Sequence, residues 1–291
     1  MDILTNYTFQ IVALGSVILA VAAAPVGALS VYKGQSLIGD AIGHSTFPGI
    51  ILAYMAFATR SPVILLAGAI LAGAASYALI QLAHRDKRLG LDANLAIFLS
   101  GFFGLGMALK SFIQGNPDYA GASQAGLGTY IFGQAAYMLE ADVLLIAVVS
   151  ALVLTLLLLF YKELKLFVFD AEYAEVVGLP CRLLNLLLLV MTIAVIGIGI
   201  KAVGAILISS FLIIPCVAAN QWSNNFVRVL LLSSLIGAVS ALVGTYISTL
   251  EQGMSTGPSI ILVASLIAFF SIVFGTKGIL GSVLKRRHSH G

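Results

Sequence analysis

Nine long apolar runs separated by short polar connections dominate this sequence, at 11–31, 36–57, 62–82, 91–109, 143–160, 183–200, 203–219, 227–250 and 258–274. Each approaches the ~20 residues that an α-helix needs to cross a hydrocarbon layer ~30 Å thick. Barrel strands would instead alternate polar and apolar residues in segments of about ten, so helices are expected. Charged residues make up 9% of the 291 and hydrophobic ones 60%. A soluble domain carries about 25% charged residues, so lipid must solvate most of this exterior. The expectation is an all-α, polytopic membrane protein with eight or nine transmembrane helices, forming a single transmembrane domain over residues 1–291. The run at 203–219, only about 17 residues, is at the lower limit for a span and reads as a short or partly re-entrant helix.

Lysine and arginine set the orientation. Arg85, Lys87 and Arg88 form one basic connection, Lys162, Lys165 and Arg182 a second, and Lys285, Arg286 and Arg287 the end of the chain. Excess positive charge marks cytoplasmic loops. The connection at 111–142 carries Asp118, Glu140 and Asp142 and no basic residue, so it faces outward. On nine crossings Lys33 falls inside, and Arg60 and the N-terminus outside. The net charge of +3 thus describes topology and gives no reason to expect a nucleic-acid partner. The start of the chain lacks the basic region and short apolar core of a cleavable signal peptide. Cys181 and Cys216 form no CxxC pattern and read as space-filling residues.

Asp40 and His44 are the most informative residues. Four positions apart on a helix, they share one face, about 6 Å apart along the axis. Counted from Lys33, they lie about 10 to 17 Å deep at ~1.5 Å per residue. Ionisable groups at that depth are costly and usually functional. Carboxylate plus imidazole suits a transition-metal cation, an ion pair locking two helices, or a proton relay. Two ligands are too few for a closed metal site, so a second copy or another helix would have to complete it. In the cytoplasmic segment 169–180, Asp170 is placed to cap a short helix carrying Glu172 and Glu175, with Gly178 and Pro180 ending it. Such an element suits docking of a cytoplasmic partner, or is an ordinary interfacial loop. In 201–215, Ser209 and Ser210 lie at mid-depth and Pro215 near the end, as in a helix lining a cavity or kinked for packing. The segment 126–134 reads as a short helix at the outer surface, and His288 and His290 as part of a disordered tail. Without a GxxxxGK[ST] loop or a nucleophile–base constellation, no bond chemistry is expected of the chain itself, so it is not read as an enzyme.

Together, 32–49, 169–180, 203–215 and 255–259 resemble the permease subunits of bacterial metal-ion ABC importers, which take up manganese, zinc or iron(II). The resemblance covers nearly the whole chain, in the family's order. It implies the fold of a type II ABC importer permease in a bacterial plasma membrane, working as one of a homo- or heterodimeric pair. It also implies a cytoplasmic ATP-binding subunit and an extracytoplasmic metal-binding protein as partners, and no permanently bound cofactor. Asp40 and His44 match the family's intramembrane metal positions. Asp170, Glu172, Glu175 and Gly178 fall in its ATPase-docking helix. The pattern Ser123 to Leu127 followed by Phe132 to Ala136 looks like one of two paralogous permeases of manganese-type systems, which favours manganese as cargo. The alternatives are a proton- or sodium-coupled secondary transporter using Asp40 and a non-transporting membrane scaffold.

Overall fold

The computed structural model describes residues 6–59, 61–84, 90–116, 119, 138–250 and 254–278. Among these there is no strand. Eleven helices follow in chain order: α1 Tyr7–Tyr32, α2 Ile38–Phe57, α3 Pro62–His84, α4 Leu91–Gly115, α5 Glu140–Leu159, α6 Tyr161–Phe169, α7 Ala171–Val176, α8 Cys181–Val203, α9 Ala205–Asn220, α10 Phe226–Leu250 and α11 Thr256–Phe274. Seven are long and apolar enough to cross a membrane: α1, α3, α4, α5, α8, α10 and α11.

The expected eight or nine is slightly more than the seven found among the described residues. The two runs left over still form helices. α2 has 20 residues, but Asp40, His44, Ser45, Thr46 and Pro48 dilute its apolar character. α9 has 16 residues and is too short. Both are enclosed by other helices. α2 packs against α3, α4, α8 and α9, and α9 packs against α1, α2, α8, α10 and α11. Helices sheltered by protein are released from the requirement that lipid places on composition.

Two helices organise the packing. α1 is central to one group and meets α10, α9, α5 and α8, while α2 gathers α3 and α4. The fully buried side chains Leu19, Ile42, Phe47, Met191, Ile196 and Phe211 lie in this core. Leu231, Leu235 and Leu242 on α10 and Leu266 and Phe269 on α11 stay exposed, as a lipid-facing surface requires. Without a hydrophobic force between helices in lipid, close backbone approach supplies the packing energy. α2 and α3 use it at Gly49 and Gly68, where a Cβ on either residue would collide with the other's carbonyl oxygen.

Hydrogen bonds order the two ends of the bundle. At one end the Tyr32 hydroxyl donates to Asn220 Oδ1 over 2.9 Å, and the Lys33 ammonium donates to Asn185 Oδ1. The Lys277 backbone N–H donates to the Gln221 carbonyl over 3.0 Å. At the other end the Tyr7 hydroxyl donates to Glu140 Oε1 over 2.5 Å. Lys162, Lys165, Arg182 and Lys277 thus gather on the side of Lys33, opposite Glu140. This is the arrangement the positive-inside rule expects. The outward connection is shorter than the sequence suggests, because α4 continues through Ser111 to Gly115 and α5 begins at Glu140.

Candidate functional site

Asp40 lies in the first turn of α2 and His44 one turn further outward. His44 Nε2 stands 3.5 Å from Asp40 Oδ1, and the side chains are 13% and 35% exposed respectively. The Ser209 hydroxyl, from the first half of α9, donates to the same Asp40 oxygen over 3.0 Å. From α4, the Phe103 ring meets the imidazole edge-on, with centroids 4.9 Å apart and planes at 86°. Three helices therefore build the site: α2 supplies the oxygen and nitrogen, α9 steadies the carboxylate and α4 flanks the imidazole. Behind the pair, the Ser45 hydroxyl donates to the Ala41 carbonyl over 2.6 Å and lies 2.8 Å from Ser76 Oγ. Those bonds satisfy the polar groups on the face of α2 that packs on α3.

One chain offers a carboxylate oxygen and an imidazole nitrogen here. Among the described residues no group of three or more His, Cys, Asp or Glu side chains comes together. The partly open side of Asp40 is where further ligands would enter. Asp40 and His44 were legible from their spacing. Ser209 was visible as a hydroxyl at mid-depth, but its bond to Asp40 spans 169 positions and has no local signal. Phe103 is one of 16 phenylalanines, and nothing in the sequence separates it from those facing lipid.

On the cytoplasmic side, α6 is an amphipathic helix with Leu164, Phe167 and Val168 buried. Asp170 ends it and caps α7, its Oδ1 accepting from the Tyr173 N–H over 2.9 Å. The C-terminus of α7 closes by two reverse bonds. The Gly178 N–H donates to the Glu175 carbonyl over 3.0 Å, and the Leu179 N–H to the Ala174 carbonyl over 2.9 Å. Gly178 stands at φ +87°, the left-handed conformation this closure needs. Ala174 is buried, while Glu172, Tyr173, Glu175 and Val176 are exposed. Lys33 joins α6 to the bundle, its ammonium 4.4 Å from the centre of the Phe167 ring. Asn185, which accepts from Lys33, donates to the Tyr77 hydroxyl over 2.7 Å, and Gln81 donates to the same oxygen over 2.8 Å. Burial pushes the Lys33 ammonium down to about 8. The segment 123–136, the basic residues 85–88 and 285–287, and His288 and His290 lie outside the described residues.

Long apolar helices around an enclosed carboxylate–imidazole pair, with a capped helix at the basic end, define a multi-pass membrane protein built to handle a polar solute. Residues 5–275 match the ABC 3 transport family, and the chain belongs to it. It is 38% identical over 288 residues to the zinc transport system membrane protein TroC of Treponema pallidum, covering 99% of this chain and 96% of that protein. It is also 38% identical over 268 residues to the manganese transport system membrane protein MntC of Bacillus subtilis, covering 92% of this chain and 61% of that protein. Among solved structures, PsaBC from Streptococcus pneumoniae in complex with Fab superposes with a TM-score of 0.82 at 26% identity, over 94% of both chains. The all-α permease fold of an ABC importer, expected from the sequence, is the fold of this chain.

Proposed function

We propose that this chain is the membrane-spanning permease subunit of an ATP-driven importer of divalent transition metal ions in a bacterial plasma membrane, with Asp40 and His44 receiving the ion within the bilayer. The observation that carries the reading is the pair itself: one oxygen and one nitrogen held 3.5 Å apart on one face of a helix enclosed by protein. Carboxylate favours manganese and imidazole favours zinc, and the two together accept either ion. The names of the relatives, one a zinc system and one a manganese system, support the same two cargoes.

A second permease, identical or paralogous, brings another such pair and raises the ligand count to about four, the usual number for zinc. Free competition for such ligands favours zinc over manganese. Manganese import therefore draws its selectivity from geometry or from an extracytoplasmic metal-binding protein that delivers the ion. ATP hydrolysis belongs to a separate cytoplasmic subunit, which docks on α7 through the surface around Asp170, Glu172, Glu175 and Gly178. The chain itself is no enzyme.

Uptake of radiolabelled manganese and zinc by cells with and without the gene tests the proposal. Loss of uptake of at least one ion, restored by the gene and dependent on the ATPase subunit, is expected. Unchanged uptake of both ions and of iron would refute metal import, and uptake that survives loss of the ATPase would point to secondary transport.

A further inference from the structure

We propose that Phe103 orients the His44 imidazole, standing in for the hydrogen-bond acceptor that ordinarily fixes a metal-binding histidine; this rests on the reading of Asp40 and His44 as the metal pair. A ligating histidine almost always donates its second ring N–H to a carbonyl or carboxylate, which sets the plane of the ring and raises its basicity. In His44, Nε2 faces Asp40, while Nδ1 is buried and has no hydrogen-bond partner among the described residues. Hydrogen bonding therefore does not fix the ring plane from that side, and the edge-on contact with Phe103 is what remains to fix it.

The contact is itself held in register. Phe103 leans on Phe47 of α2, with centroids 6.2 Å apart and planes at 39°, and Phe47 is 1% exposed. One turn further along α4, Gly106 lies so close to α2 that a Cβ there would meet Phe47 Cδ1 at 2.5 Å and Pro48 Cδ at 3.1 Å. Only a residue without a Cβ fits against Phe47 and Pro48 there, so sliding α4 along α2 would press a neighbouring side chain into that contact, and the Phe103 ring stays opposite His44. An imidazole steered by packing is aimed at its ion without the added basicity that an anionic or carbonyl partner confers. Such a ligand holds its ion and still lets it go, as transported cargo requires.

The test measures zinc and manganese uptake at matched protein levels for Phe103→Leu, which keeps apolar volume without a ring, and for Phe103→Tyr, which keeps the ring. Each is made alone and in a His44→Ala background, at ion concentrations where that background retains measurable uptake. Phe103→Leu is expected to reduce zinc uptake on the order of tenfold, the low end for losing an orienting contact. Manganese should fall less, because imidazole contributes more to zinc binding. Phe103→Tyr should stay near wild type, and Phe103→Leu should add nothing in the His44→Ala background. Equal losses for the two ions that recur in full in that background would overturn the inference alone. Normal uptake by His44→Ala itself would overturn both the inference and the metal-pair reading beneath it.

Discussion

At the scale of single residues, the Asp40 carboxylate is held between His44 and the Ser209 hydroxyl and is open on its remaining side. The Ser209 bond holds the acceptor oxygen beside the imidazole, and hydrogen bonds to charged groups are worth more than neutral ones. Removing it by Ser209→Ala should cost about 1.5 kcal/mol of ion binding, roughly a tenfold effect. It should appear as a raised half-saturation concentration for uptake, with the amount of protein unchanged. An unaltered half-saturation constant would mean that the hydroxyl does not position the carboxylate. Spacing alone revealed Asp40 and His44, because a helix places positions four apart on one face and lipid penalises both groups. Ser209 was visible only as a mid-depth hydroxyl and Phe103 not at all, because their roles exist only where α9 and α4 cross α2. A hydroxyl and an aromatic ring also satisfy the membrane equally well elsewhere.

At the scale of helices, apolar run length located every long helix, and misjudged only how many qualify as independent spans. α2 fell short because polar groups and a proline dilute it and α9 because it has only 16 residues, and both are tolerated because other helices enclose them. The cytoplasmic connection held more structure than run lengths disclose. α6 buries Leu164, Phe167 and Val168 within nine residues, too short for a hydropathy signal. α7 was legible through its chemistry, since Asp170 is a capping residue and Gly178 tolerates the left-handed backbone. Six residues make a marginal helix, so the cap matters. Asp170→Ala should cost about 1 kcal/mol of local stability. It should speed amide hydrogen exchange at Tyr173 and Ala174 roughly fivefold, and Asp170→Asn should largely preserve protection. Equal exchange in all three proteins would show that α7 does not depend on this cap.

At the scale of the whole molecule, the basic residues oriented the bundle and the contacts of Tyr32, Lys33 and Lys277 draw the cytoplasmic ends of its helices together. Lys33 ties α1 to α8 directly and to α6 through Phe167. Burial holds its folded pKa at about 8 against an ordinary 10.5. Between those values the unfolded chain keeps a proton that the folded chain has released, so stability rises with pH across that window. Below it both states are protonated and Lys33 contributes no pH dependence. Thermal unfolding of the purified protein should therefore show a melting temperature that rises from pH 8 toward 10 relative to Lys33→Met. Parallel curves for the two proteins would place the ammonium in water.

We propose that an ion passes through the Asp40–His44 pair. This is tested most directly by uptake of radiolabelled manganese and zinc in cells producing wild type, Asp40→Ala or His44→Ala at matched membrane levels. Each substitution is expected to lower uptake by on the order of tenfold or more, because each removes half of the ligands proposed for this chain. Both variants should still assemble with the ATPase subunit. Wild-type uptake by both variants would contradict the proposal.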